Sequence, residues 1–153
     1  MIARLLIKPF GDIWKLKELC KKGNSAGLKS RIHHFLYHYY QYEHGSAISF
    51  DAEFAGTPIL PHGTKQIVIT KDVKIGKNCV IFQQVAIQEE YLENSKFFGS
   101  PVIGDDCYIY PGAKIIGNVK IGNHVIIGPN AVVTQDIPDN TRVCVGEQKT
   151  IAL

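Results

Sequence analysis

The chain has 153 residues, of which 45% are apolar, and its formal net charge is +3. This length suits one compact domain, and this apolar content is sufficient for a sizeable core. The small net charge gives no indication of a nucleic-acid partner. These properties argue against a multidomain chain and against a nucleic-acid-binding protein.

The first nine residues contain a short apolar run that is broken by Arg4, Lys8 and Pro9. The run is too short to span a bilayer, and it lacks a signal-peptide cleavage pattern. We therefore expect a cytoplasmic protein. The basic residues that follow, up to Arg31, predict a solvated helical face, with contact to a membrane surface or an anionic partner as the weaker alternative.

Two helices are predicted before residue 45. The first covers residues 12–22, with Asp12 as its N-cap, and Gly23-Asn24-Ser25 end it. The second covers about residues 25–43, and its histidines are interpreted as surface and packing residues because no carboxylate or cysteine set completes a metal site. Its apolar stripe is expected to pack on the end of the following domain, and it consists of Leu28, Ile32, Phe35, Leu36 and Tyr39.

From residue 69 onward an aliphatic residue recurs every six positions in two runs. A period of six matches neither an α-helix nor a simple amphipathic strand, but it suits short parallel strands stacked coil upon coil. The sequence therefore predicts an all-β solenoid in which these side chains point into a layered core. The repeating residues are Ile69, Ile75, Ile81, Ile87, Ile103, Ile109, Ile115, Ile121, Ile127 and Val133.

A second inward position follows four residues after each aliphatic, where the residue is small or compact, as at Val73, Cys79, Val85 and Cys107. We expect Gly76, the segment 104–106 and the segment 122–123 to supply corners with positive φ. All four cysteines, which include Cys20 and Cys144, are interpreted as buried packing thiols in a reducing compartment.

The repeat is interrupted twice. The first break, residues 61–67, holds the polar cluster His62-Gly63-Thr64-Lys65. A break in the buried repeat is a position where catalytic side chains can be held. The second break, residues 88–102, is expected to leave the stack as an exposed loop. We therefore divide the chain into a helical N-terminal segment, residues 1–45, and a solenoid domain, residues 46–153, with an inserted loop at 88–102.

Residues 45–150 resemble the hexapeptide-repeat acyltransferases, and within them the serine O-acetyltransferases and the colanic-acid-type polysaccharide O-acetyltransferases. The most specific stretch is residues 102–140, VIGDDCYIYPGAKIIGNVKIGNHVIIGPNAVVTQDIPDN, whereas the close VGEQK at residues 145–149 is similar to the colanic-acid type. The resemblance implies a left-handed parallel β-helix assembled as a homotrimer. It also implies acetyl-CoA as the acetyl donor, bound in a groove between neighbouring subunits, and no metal.

By this resemblance His62 is the general base, since an imidazole is suited to accept the proton of an attacking hydroxyl. The resemblance places the pantetheine arm of the donor against the backbone around Ala113 and Ala131, and Lys149 near a CoA phosphate. We expect direct transfer to the acceptor without an acyl-enzyme, with backbone amides stabilising the oxyanion. Cys79 and Cys107 are excluded as nucleophiles because inward-facing thiols lack access.

Three positions depart from the serine acetyltransferase pattern. Pro61 stands where that family has an aspartate for the substrate amine, and Gly99-Ser100 stand where it has Arg-His. Ala47 aligns with the aspartate that orients the histidine, and Asp51 and Glu43 are the possible replacements.

A zwitterion needs charged partners to leave water, so these departures favour an uncharged hydroxyl acceptor, a sugar in polysaccharide biosynthesis. Two alternatives stay open. One is an L-serine O-acetyltransferase of cysteine biosynthesis, in which the loop at 88–102 supplies substitute contacts. The other is a non-catalytic solenoid scaffold that binds a partner through the helix at 25–43.

Overall fold

A computed structural model describes residues 2–22 and 27–146. Helix α1 spans Ile2–Ile7, and a 3-10 helix, Lys8–Phe10, follows it directly. Helix α2 spans Ile13–Lys22 and helix α3 spans Leu28–His44. The predicted break at Gly23-Asn24-Ser25 lies outside the described residues. Among the described residues, no helix is both long enough and apolar enough to cross a bilayer.

The strands are distributed among three parallel sheets, which form the faces of a triangular prism. Each strand pairs in register with the strand one coil away. The fold is the predicted left-handed parallel β-helix. Face A contains β1 (Ala47–Ile48), β3 (Val68–Ile69), β6 (Ala86–Gln88), β9 (Lys114–Ile116) and β12 (Val132–Val133). Face B contains β2 (Glu53–Phe54), β4 (Lys74–Ile75), β7 (Val102–Ile103) and β10 (Lys120–Ile121). Face C contains β5 (Val80–Ile81), β8 (Tyr108–Ile109), β11 (Ile126–Ile127) and β13 (Arg142–Val143).

The solenoid core confirms the six-residue pattern. All ten repeating aliphatics are at most 4% exposed, and the small residues that follow them are equally buried. Because each coil stacks its aliphatics on those of the next, neighbouring coils stabilise one another.

The prediction for the corners was correct for Asp106 and wrong for Asp105, Asn123 and the glycines. Asp106 has φ 57°, whereas Gly76, Gly104 and Gly122 do not have positive φ. The glycines are required for space instead: a Cβ on Gly104 would lie 2.8 Å from the carbonyl oxygen of Gly122 in the next coil. The close stacking of coils, and not the backbone conformation, therefore selects glycine here.

The helices cover the first coil of the solenoid and satisfy its free backbone groups. The Tyr37 hydroxyl donates to the carbonyl of Ile48 at 2.9 Å, and the Ile48 N–H donates to the side-chain oxygen of Gln41. The Lys17 ammonium donates to the carbonyl of Ala52 at 2.7 Å. A terminal coil would otherwise leave such groups unpaired, so the helices act as a cap.

The face of α3 that packs on the solenoid differs from the predicted one. Asp12 caps α2 as expected, through its hydrogen bond from the Lys15 N–H. On α3, however, Leu36 is buried while Leu28 and Phe35 are 73% and 65% exposed. The inward face of α3 includes polar side chains that bond to the first coil. Hydrophobicity alone does not identify this face. The inward residues are Ser30, Leu36, Tyr37, Tyr40 and Gln41.

The insert between β6 and β7 leaves the stack. Glu90 and Gly99 form an antiparallel bridge at its base. The carbonyl of Phe97 accepts the N–H of Asn118, which ties the insert to the following coil. Its tip is exposed, with Leu92 at 69%.

Candidate active site

His62 lies on a turn of the solenoid edge where the chain passes from face C to face A. The turn covers residues 61–66 and replaces a regular corner. The Gly63 N–H donates to the Leu60 carbonyl at 3.0 Å, and the Gln66 N–H donates to the His44 carbonyl at the end of α3 at 3.0 Å. The register break thus holds an exposed imidazole on a turn that is tied to the helical cap.

An aromatic ladder continues from His62 along the same edge. The His62 and Phe82 ring centroids are 6.1 Å apart, and the Phe82 and Tyr110 rings are stacked with centroids 5.2 Å apart. His62, Phe82 and Tyr110 lie in three successive coils, since the edge repeats at residues 60–67, 82–85 and 110–113. Phe82 and Tyr110 were not predicted as site residues, although both directly follow a repeating aliphatic of face C.

A cleft of about 570 Å³ begins where the aromatic ladder ends. Arg142 supplies its cationic side chain, and in the described part of the chain this guanidinium forms no ion pair. The cleft joins the ladder through Tyr110, so the ladder and the cleft form one continuous track along the edge. The cleft is lined by Tyr110, Ile126, Gly128, Pro129, Asn130, Arg142, Cys144, Val145 and Gly146.

The structure places Ala113 and Ala131 on this same edge, with their side chains in the core. Ala113 has no exposed surface and Ala131 is 3% exposed. Their N–H groups donate to the carbonyls of Tyr110 and Gly128, and their carbonyls accept N–H groups of neighbouring coils. The edge therefore brings His62, Ala113 and Ala131 into one line, while Lys149 lies outside the described residues.

The structure gives His62 no orienting carboxylate among residues 2–22 and 27–146. Ala47 occupies the expected position on β1 and is exposed. The carboxylate of Glu43 accepts the N–H groups of Ile2 and Ala3, which engages it at the start of α1. Asp51 is exposed, and its N–H bonds to Ser49.

The cysteines fall into two groups. Cys20, Cys79 and Cys107 are buried, as predicted, and burial raises the pKa of the Cys20 thiol to about 11. Cys144 is exposed and lines the cleft, so its interpretation as a buried packing thiol was wrong. In the part of the chain that the structure describes, no three His, Cys, Asp or Glu side chains are grouped to hold a metal ion.

Comparisons with known proteins agree with this architecture. The family described as bacterial transferase hexapeptide (six repeats) matches residues 100–135. By repeat and by fold, the chain is a hexapeptide-repeat protein with a left-handed β-helix.

Within that class the chain is similar to serine acetyltransferases. It is 36% identical over 124 residues to the enzyme of Staphylococcus aureus strain Mu50, covering 73% of this chain and 57% of the relative. It superposes on the Neisseria gonorrhoeae serine acetyltransferase with a TM-score of 0.71 and 26% identity, covering 92% of this chain and 51% of that one. Isoform 3 from Entamoeba histolytica, solved with cysteine, gives a TM-score of 0.74 at 25% identity, covering 92% and 49%. The chain thus spans about half the length of these relatives and resembles the serine O-acetyltransferases among hexapeptide-repeat acyltransferases.

Proposed function

We propose that this chain is an acetyl-CoA-dependent O-acetyltransferase in which His62 is the general base. The observation that carries the proposal is the position of His62. Its exposed imidazole begins the edge that continues through Phe82 and Tyr110 to the cleft. The similarity to serine acetyltransferases of known fold supports the same activity.

The reaction requires one proton transfer to the imidazole and one from it. The acceptor hydroxyl attacks the thioester carbon as His62 takes its proton, so that a C–O bond forms and the carbonyl oxygen becomes an oxyanion. Collapse of the tetrahedral intermediate breaks the C–S bond, and the imidazolium returns the proton to the departing CoA thiolate. No acyl-enzyme is needed, which is consistent with the burial of Cys79 and Cys107.

The donor is proposed to lie along the edge, with its thioester near His62 and its nucleotide end toward the cleft. The turns that carry Ala113 and Ala131 would border the pantetheine arm. Arg142 is suited to bind a CoA phosphate because a guanidinium offers several donors to phosphate oxygens. Lys149 retains its proposed role as a second phosphate contact.

L-serine is the first acceptor that we propose. The named relatives favour it, and they give no support to a sugar acceptor, which the departures from the serine acetyltransferase pattern had favoured. The charged contacts for serine would have to come from side chains other than those of the serine acetyltransferase pattern.

A second candidate, an uncharged hydroxyl compound, is favoured by one specific observation. The positions that carry charge in the serine acetyltransferases hold Pro61, Gly99 and Ser100. Ser100 is engaged with the backbone, because its hydroxyl donates to the Lys71 carbonyl at 3.2 Å.

Release of free CoA thiol from acetyl-CoA tests both candidates when L-serine, nucleotide-sugars and simple sugars are offered in parallel. We expect His62→Ala to lower turnover by about 10²-fold or more while acetyl-CoA binding persists. His124→Ala is the matched control, since His124 is exposed on another corner and lies beside Asp106. Equal turnover in His62→Ala and the wild type would refute the role of His62, and the acceptor that responds separates serine from uncharged compounds.

Titration calorimetry separates the enzyme from a non-catalytic scaffold. We expect saturable acetyl-CoA binding by the wild type. If the chain binds no acetyl-CoA and releases no thiol with any acceptor, the scaffold interpretation replaces the enzyme.

A further inference from the structure

Helix α1 has two faces with different surroundings. Ala3 and Ile7 are buried against the helical cap. Ile2, Leu5 and Leu6 project from another side and are 61%, 71% and 43% exposed. Residues three and four positions apart share a side of a helix, so these three form one apolar surface, which we call the α1 apolar face.

Cations border the α1 apolar face. Arg4 and Lys8 line the same shallow surface depression as Ile2 and Leu5. Neither cation forms an ion pair with any residue in 2–22 or 27–146. The side chain of Lys15 lies close by, because its Cδ would be 3.0 Å from a Cβ on Gly11, just after the 3-10 helix.

The charge of the chain is divided unevenly along its length. Residues 1–45 contain eight Lys and Arg and only three Asp and Glu, although the net charge of the whole chain is +3. The helical segment is therefore strongly basic, whereas residues 46–153 carry a small net negative charge. An anionic surface would be attracted to the helical end and not to the solenoid.

We propose that the α1 apolar face docks on an anionic phospholipid surface. Aliphatic side chains beside Lys and Arg are the combination that binds at a lipid interface, where the apolar groups enter the acyl boundary and the cations meet lipid phosphates. Symmetric pairing with α1 of a second copy is disfavoured, because it would bring Arg4 and Lys8 against the same cations. The inference is independent of the proposed acetyl transfer.

Co-sedimentation with vesicles tests the docking. The full chain is mixed with vesicles that contain phosphatidylglycerol in phosphatidylcholine, or with vesicles of phosphatidylcholine alone. We expect partition onto the anionic vesicles, weak binding to the neutral ones, and a decrease in binding as salt is raised. No binding to the anionic vesicles at low salt would overturn the proposal.

Variants separate lipid docking from simple charge attraction. Leu5→Asp should lower the partition by roughly tenfold, and Arg4→Gln with Lys8→Gln should lower it by roughly fivefold per cation. Leu92→Asp, at an equally exposed leucine of the insert, and Lys71→Gln with Lys120→Gln, on the solenoid, are the matched controls and should retain wild-type binding. Circular dichroism checks that every variant is folded.

Two results with these variants would contradict the proposal. Equal partition of Leu5→Asp and the wild type would show that the apolar face does not enter the lipid. Loss of binding in Arg4→Gln with Lys8→Gln but not in Leu5→Asp would show that the chain is attracted to the vesicles by charge alone.

Discussion

At two positions in the solenoid, the structure shows a physical reason for the residue type that the sequence has there. At Gly104 the selection is steric, since the nearest atoms to an added methyl group would belong to the next coil. At Arg142 it is electrostatic, because this guanidinium, which forms no ion pair with a described residue, lies in an otherwise largely apolar cleft. Each case leads to a separate prediction.

Gly104→Ala should lower the free energy of unfolding by about 2 kcal/mol or more, because the added Cβ would force two coils apart. Gly56→Ala is the matched control, since the nearest atom to its Cβ would be 3.8 Å away, on the Lys77 side chain. Denaturant unfolding of both variants measures the difference. Equal stability of the two variants would show that coil spacing does not select glycine at position 104.

Arg142→Gln should raise the KM for acetyl-CoA by about tenfold and leave kcat nearly unchanged, because a phosphate contact far from the thioester contributes to binding alone. Lys120→Gln, on face B, serves as the control. Steady-state kinetics at saturating acceptor give both constants. A fall in kcat without a change in KM would place Arg142 outside the donor site.

At the level of elements, the helical cap and the solenoid are joined by hydrogen bonds as well as by apolar contacts. Tyr37 on α3 is 1% exposed, and its hydroxyl donates to the carbonyl of Ile48 on β1. Burial raises the pKa of Tyr37, with a smaller contribution from Cys20. The phenol therefore stays protonated and remains a donor.

Tyr37→Phe should destabilise the protein by about 1–2 kcal/mol, because it leaves the buried Ile48 carbonyl without this donor. Tyr42→Phe on the same helix is the control, since Tyr42 is 85% exposed. Thermal and denaturant unfolding provide the comparison. If both variants matched the wild type, the cap would be held by apolar packing alone.

At the level of the whole molecule, the donor site is expected to require two subunits. The cleft at Arg142 opens on an edge of the prism, and the family resemblance places acetyl-CoA between neighbouring solenoids. We therefore expect light scattering to give a mass three times the 17.0 kDa of the chain. A monomer at all concentrations, with acetyl-CoA present or absent, would contradict the assignment of the donor site.

The six-residue pattern made the solenoid predictable, because each repeating aliphatic has to point inward wherever coils stack. It also indicated where regularity fails, at residues 61–67 and 88–102, and the first break holds His62. The face of α3 was not predictable from apolar periodicity. Tyr37 and Gln41 are buried because they bond to a strand that the pattern of the helix does not reveal.

The sequence by itself determined the β-helix, its core positions and the break that carries His62, since these follow from a short repeat read along the chain. Only the tertiary structure decided which residues share an edge with His62. Phe82, Tyr110 and Arg142 lie in separate coils, and parallel stacking aligns them in one line. Strand pairs between coils join residues 16 to 28 positions apart, and a six-residue period carries no information about such pairs until the register of the stack is known.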